Sequence, residues 1–380
     1  MQQQQGEDDD HGLSNLGTRQ ILNWSPSDIS MEALSRALGE KLLVAKKNIS
    51  KEVRFKPTCQ TPEQIAGSNC SKDGCLRTEL PENFRDRVKQ LVGNPKFQLS
   101  PQYKEAMAEM ASQIEGRYEI ILLTAASSNH FFESQALMKN LHTYVFPRLR
   151  NFTLIFYDIG LSEEEHLQMK KYCQCQVVKF PFHLFPEFVR NLKCYSWKPL
   201  MIKAHIPQSK LVVWMDASVR FRPDPQLLPR LLQQAQDRGV QMGGSGADSP
   251  YRTDVAMYHF FGDEPCAYLG LSQAKATFGV FHREPFVDKA VLEPWCACAV
   301  KKNCICPSDR HGCAESKAAV LSFRNRSGPL RLGLCHRYDQ SAISTILHKL
   351  YQGYFRFVLI DILKFIQILR KTTENYFPVS

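Results

Sequence analysis

The sequence predicts an α/β domain: a mostly parallel sheet with flanking helices, preceded by an irregular, partly helical stem. Three observations carry that expectation. Short, continuous apolar runs recur between residues 118 and 216. Stretches with helically spaced apolar residues lie between them. Three of the runs end in small polar or acidic residues, as expected where parallel strands open onto one shared edge.

The first run, YEIILLT at 118–124, lacks alternation and suits a strand buried on both faces. Phe132, Ala136, Leu137, Leu141, Tyr144 and Val145 follow at helical spacing. FTLIFYD (152–158) is the second strand. Ser162 and Glu165 form a capping box that opens a helix running to Lys171. QVVKF (176–180) is the third strand and KLVVWMD (210–216) the fourth, with Trp197-Lys198-Pro199 opening a short helix between them. Beyond these the pattern predicts helices over 227–238, 254–261 and 339–351 and short strands near 241–246 and 278–282.

The expected domain spans 118–353, with a cysteine-rich insertion at 294–313. Residues 1–117 read as a stem, Gln-, Asp- and Ser-rich over the first 30, with an amphipathic helix over 31–47 and one or two more over 81–115. Residues 354–380 read as a tail helix, whose most apolar stretch, Tyr354 to Leu369, is too charged and too short to span a bilayer.

Composition bounds the function class. Apolar residues make up 43% and charged residues 23%, an ordinary balance for a folded protein. A net charge of +10 suits a phosphate-bearing ligand. The basic residues form no stripe with interleaved aromatics, which argues against nucleic acid. No G-x-G-x-x-G or P-loop occurs. Thirteen cysteines and the sequons at Asn23, Asn48, Asn69, Asn151 and Asn325 point to an oxidising lumen or secretion. The first residues, MQQQQGEDDD, contain no apolar signal region, so membrane association is expected only through an anchor that this chain does not contain.

The strand ends hold the candidate chemistry. Ser127, Ser128 and Asn129 follow the first run, Asp158 closes the second, and Asp216 with Ser218 follows the fourth. Such groups suit hydrogen bonds to a base and ribose, or they cap the next turn. Asp216 leaves a fully apolar strand and needs a partner, a ligand or a solvated cleft. Asp339 either caps the helix that follows it or faces the same cleft.

VVWMDAS resembles the strand and acidic motif of GT-A glycosyltransferases, in which D-x-D follows an apolar strand. LTAASSNHFFESQALMKNL, FYDIGLS, YSWKPLMI, VVWMDASVRF and CHRYDQSAISTIL together resemble a poorly characterised, nematode-rich family of animal type II Golgi proteins. The resemblance implies a GT-A-like fold and sugar transfer from a nucleotide diphosphate donor, a UDP-sugar, to a glycan or glycoprotein hydroxyl. It makes Asp216 the donor-site acid, sets Ser127, Ser128, Asn129 and Asp158 in the nucleotide pocket, and turns Asp339 and Gln340 toward sugar and acceptor. Ser218 stands where the second acid of D-x-D would be, and a hydroxyl is a poorer ligand for Mn²⁺ or Mg²⁺ than a carboxylate. Asp216 and His336, with the diphosphate, remain as a metal set. Lys198, Arg220 and Arg283 are the cationic alternative for stabilising the leaving diphosphate.

Two rival readings remain: a sugar-binding relative that does not transfer, and a zinc-binding interaction protein built on Cys296, Cys298, Cys304, Cys306 and Cys313. The C-x-C spacing favours disulfides over zinc.

Overall fold

A computed structural model of the chain describes residues 24–49, 80–307, 313, 332–333 and 335–378. The cysteines at 59, 70 and 75 and the sequons at Asn23, Asn69 and Asn325 lie outside those residues. The strands are β1 (Ile120–Ala126), β2 (Phe152–Asp158), β3 (Gln176–Lys179), β4 (Leu211–Met215), β5 (Val219–Phe221), β6 (Val240–Asp248), β7 (Ser272–His282), β8 (Leu359–Ile360) and β9 (Ile366–Ile368). Seven of them form one sheet in the order β3-β2-β1-β4-β7-β6-β8, and β5 pairs with β9 in a separate two-stranded sheet. The pairs β1/β2, β1/β4, β2/β3 and β6/β8 are parallel, whereas β7 runs antiparallel to both β4 and β6. The expected mixed α/β fold with a mostly parallel sheet is therefore present.

The continuous apolar runs form strands because both faces of the sheet are covered. Ile121, Leu123, Ile155, Val212 and Trp214 belong to one core. Leu122, Leu154, Phe156, Val213 and Met215 belong to the other. The helices α4 (Phe131–Tyr144), α5 (Glu163–Tyr172) and α7 (Leu227–Arg238) supply Leu137, Met138, Leu141, Met169 and Leu231 to the second core. The capping box is formed: Ser162 accepts from the Glu165 N–H, and the Glu165 side chain returns to the Ser162 N–H.

The first core is helical on its outer side. It takes in α6 (Trp197–His205), α8 (Val255–Phe261), α9 (Glu293–Ala299), the single turn α10 (Lys302–Ile305) and α11 (Tyr338–Tyr351). It also takes in the helices expected as a stem: α1 (Met31–Asn48), α2 (Phe84–Val92) and α3 (Pro101–Ser112), through Leu34, Leu38, Leu42, Val88, Leu91, Met107 and Met110. Lys41 pairs with Glu284 at 2.8 Å and the Trp24 indole donates to Asp288 at 3.0 Å, so charge as well as apolar area ties this segment down. Packing shows no break at residue 117.

Two further expectations are corrected. Residues 293–299 are not an inserted loop: Trp295, Cys296 and Cys298 are buried on a helix against the sheet. Residues 354–380 do not form a tail helix. Gln352–Val358 is 3₁₀, β8 joins the sheet beside β6, Ile362–Phe365 makes one turn, and β9 pairs with β5. Val358, Ile360 and Ile362 are buried, Val358 in the first core and the two isoleucines in the second, where β8 lies against β6. Gly243 makes room for this segment, since a Cβ there would lie 2.0 Å from Ile362 Cδ1.

Among the described residues the disulfides are Cys173–Cys175, Cys194–Cys306, Cys298–Cys304 and Cys313–Cys335, and Cys296 is a free, buried thiol. Cys266 is also disulfide-bonded. The pairing of Cys298 with Cys304 removes the thiolates that the zinc reading required. No helix among the described residues is long and apolar enough to cross a membrane.

Candidate active site at the carboxyl edge of the sheet

Asp216 follows β4 directly. Side chains two apart on a strand share a face, and the Trp214 indole accordingly donates to Asp216 Oδ1 at 2.9 Å. The Asp216 backbone closes a tight turn, with its N–H on Thr277 O and its carbonyl accepting from Val219, both within 3.0 Å. The carboxylate is thus fixed in direction yet remains 29% exposed, the one member of its charge group open to a ligand.

Helix α6 packs on the same face and delivers Lys198. Its Nζ lies 3.1 Å from Asp216 Oδ1, 2.8 Å from Asp339 Oδ2 and 3.1 Å from the Ala276 carbonyl. Burial works against charge on this amine, but Asp216 and Asp339 outweigh it and its pKa is raised. Burial raises the pKa of Asp339, and the Lys198 charge partly offsets that rise. Asp339 lies in the first turn of α11, with its carbonyl accepting from the Trp295 indole at 3.1 Å. Tyr195 covers the ammonium, its ring centre 5.3 Å from Nζ, held in a left-handed conformation at φ 52°.

The remaining expected residues divide by how their polar atoms are used. Ser127 donates to Asn129 at 2.6 Å on an open loop at the end of β1. Ser128 bonds to Glu165 and to Gly160 O, which ties that loop to α5. Asp158 is buried and spent: Oδ1 accepts from Gly160 and Leu161 at 2.8 and 2.7 Å, and Oδ2 meets His166 at 2.8 Å. It closes the turn after β2, and both of its oxygens already serve that turn and His166. Gln340 donates to Gln273 at 2.8 Å within a buried amide network. Ser218 is buried, and its carbonyl accepts from Leu369 at 2.8 Å.

Neither Arg220 nor Arg283 serves as a diphosphate clamp. Arg220 donates to the carbonyls of Ala217, Val219 and Glu133, and burial lowers its pKa to about 10. Arg283 follows β7 at the opposite edge of the sheet, bonded to Pro207 O and set over the Trp24 ring. An open cavity of about 490 Å³ lies at that amino-terminal edge, lined by Glu119, Asn151, Gln208, Lys210 and Arg283 among others. No buried charge group faces it, so the carboxyl edge remains the better site.

Several contributors carried no sequence signal strong enough to single them out: Trp214, Tyr195 and His130. His130 ends the β1 loop. Its bond to Glu133 raises its pKa, burial opposes that, and Glu133 and Asp216 add to the rise. The charges of both Asp216 and Arg370 act on His130 and on Tyr195.

The residues present do not fit a divalent cation. Both ring nitrogens of His336 are engaged: Nδ1 accepts from Asp254 at 3.1 Å and Nε2 donates to Ile305 O at 3.1 Å. Burial lowers its pKa to about 4, consistent with a neutral core histidine. Ser218 supplies no carboxylate, and the space between the two acids is filled by Lys198. Among the described residues no group of three His, Cys, Asp or Glu side chains gathers as a metal site would.

A family described as "Protein of unknown function (DUF1647)" matches residues 89–203, a stretch that includes Lys198 and stops before Asp216. No curated protein matches the sequence. Among solved structures the chain is similar to the bifunctional glycosyltransferase WbbM, at 11% identity over 47% of this chain and 35% of that one, TM-score 0.31. It is similar to the galactosyltransferase LgtC in complex with donor and acceptor sugar analogues, at 15% identity over 63% and 72%, TM-score 0.34. It is also similar to core-mannan synthase A from Aspergillus fumigatus in its Mn/GDP form, at 10% identity over 87% and 92%, TM-score 0.36. The chain spans about a third of the length of the first of these. Scores this low say nothing about individual site residues.

Proposed function

We propose that this chain is a glycosyltransferase, moving a sugar from a nucleotide diphosphate donor, a UDP-sugar, to the hydroxyl of a glycan or glycoprotein. One observation carries the reading: a part-exposed carboxylate, Asp216, stands at the carboxyl end of a buried parallel strand, locked by Trp214 and Lys198. Ligands of open α/β sheets bind at that edge. In the reaction the bond from the anomeric carbon to the diphosphate oxygen breaks, its electron pair leaving on the diphosphate, and a bond to the acceptor oxygen forms, the hydroxyl proton passing to the departing diphosphate or to solvent. Asp216 orients the donor. Ser127 and Asn129, on the open loop, are the nucleotide-side contacts. Asp339 is held by Lys198 and serves to position rather than to take the acceptor proton. The disulfides and the exposed sequon at Asn151 suit a lumenal or secreted setting, and a Golgi location belongs to the same proposal.

Screening nucleotide sugars with the wild type and Asp216→Asn tests the reading. The expected result is turnover by the wild type and a loss of about 100-fold in the variant. Equal turnover by both proteins removes Asp216 from the site. A second reading, donor binding without transfer, is favoured by Ser218 and by the neutralisation of Asp339. Binding of a donor with neither hydrolysis nor transfer selects it.

A further inference from the structure

We propose that the nucleotide diphosphate is held without a divalent cation: Lys198 takes the bridging place between Asp216 and Asp339, and Lys275, Arg337 and Arg370 carry the charge that faces the diphosphate. The inference rests on the donor-site reading above and specifies how that site neutralises its ligand.

Lys198 has three oxygen neighbours within 3.1 Å, two of them carboxylate oxygens, and its side chain is 3% exposed. A cation bridging the same two carboxylates would have to displace it, breaking all three contacts, or stand beside it against like charge. The ammonium is also beyond reach of a phosphate, because both acids and a carbonyl already surround it. Charge for the diphosphate must come from elsewhere.

Three cations lie on the chain segments that border this centre. Lys275 precedes Ala276, whose carbonyl holds Lys198. Arg337 lies two residues before Asp339, at the start of α11. Arg370 follows Leu369, whose N–H donates to Ser218 O at 2.8 Å, two residues beyond Asp216. The three act on one another. Burial lowers the pKa of Lys275, and Arg337 and Arg370 lower it further. Burial, Arg252 and Arg370 bring Arg337 down to about 10. None of the three forms an ion pair with a described residue. Like charges that lack ion-pair partners oppose folding, and a dianionic or trianionic ligand removes the conflict. Two of the three are guanidinium groups, whose forked donors match phosphate oxygens.

Binding of UDP and GDP to the full chain, measured by calorimetry in EDTA and again with added MnCl₂, tests the inference. The expected result is the same affinity within about twofold in both buffers, weakening as salt rises. Arg370→Gln, an exposed change that leaves the fold intact, and Lys275→Gln are each expected to weaken binding about tenfold. Unchanged melting temperatures separate that loss from misfolding. Binding that requires Mn²⁺ overturns the inference and leaves the donor site standing. Metal-independent binding that neither variant weakens overturns the role of the basic group. No nucleotide binding in either buffer overturns both this inference and the donor-site reading.

Discussion

Lys198 Nζ lies 2.8 Å from the Asp339 carboxylate, and the two side chains are 3% and 6% exposed. The pair links the first turn of α6 to the first turn of α11, across the end of β4. Each charge is tolerated in that position only because the other is there. Lys198→Met is therefore expected to lower stability by about 3–5 kcal/mol, since it leaves Asp339 buried without a counter-charge beside Asp216. Adding Asp339→Asn to that variant should recover part of the loss. Urea denaturation of the four proteins of the cycle gives the coupling directly. A Lys198→Met protein with the wild-type midpoint would contradict the buried ion pair.

Asp158 looks like Asp216 in sequence, an acid closing an apolar strand, and the structure separates them. Its oxygens accept from Gly160, Leu161 and His166. Asp158→Ala is expected to cost about 1–3 kcal/mol of stability by leaving those donors unpaired. The folded fraction should retain wild-type UDP affinity. A selective loss of affinity at unchanged stability would return Asp158 to the nucleotide pocket.

The parallel half of the fold was legible in the sequence because strands buried on both faces have few competing interpretations. YEIILLT, FTLIFYD and KLVVWMD each became strands, and the Ser162/Glu165 capping box located α5. The rest depended on long-range packing. Met31–Asn48 has an amphipathic pattern, but nothing local says that its apolar face meets the outer helices of the sheet domain. Leu359–Ile360 and Ile366–Ile368 are too short to overrule a helical reading until β6 and β5 supply their edges. At the site, Asp216 and Asp339 were visible as acids at element ends. Their relation was not, because it runs through Lys198 on a third element. His336 illustrates the reverse case: a histidine beside a promising motif whose two nitrogens serve backbone groups.

The disulfide between Cys194 and Cys306 closes a separation of 112 residues and sits just before the turn that presents Lys198. Cross-links that close long loops restrict the unfolded chain most. Replacing both cysteines with serine is expected to cost about 3–5 kcal/mol, and removing Cys298–Cys304, which closes only six residues, should cost less. Thermal melts of the two double variants under oxidising conditions rank them. The reverse ranking would mean that α10 depends on its local cross-link more than the chain depends on the long one.

Acid should destabilise the protein through buried neutral histidines. Burial lowers the pKa of His205, His336 and His348 to about 4. His348 shows the cause: Nε2 donates to Ser272 O at 2.7 Å, and Nδ1 is buried with no partner to receive a proton's charge. In the unfolded chain these rings take up protons near pH 6.5. Between that value and about 4 the unfolded state binds more protons than the folded one, so stability is fully present above pH 6.5 and falls as pH drops. Each ring contributes at most about 1.4 kcal/mol per pH unit over that window. The urea midpoint is expected to fall steeply from pH 7 to pH 5. His348→Gln, whose amide donates the same bond without titrating, should flatten the dependence. A wild-type midpoint that stays level across this range would show that these rings titrate in the folded protein as they do in the unfolded chain.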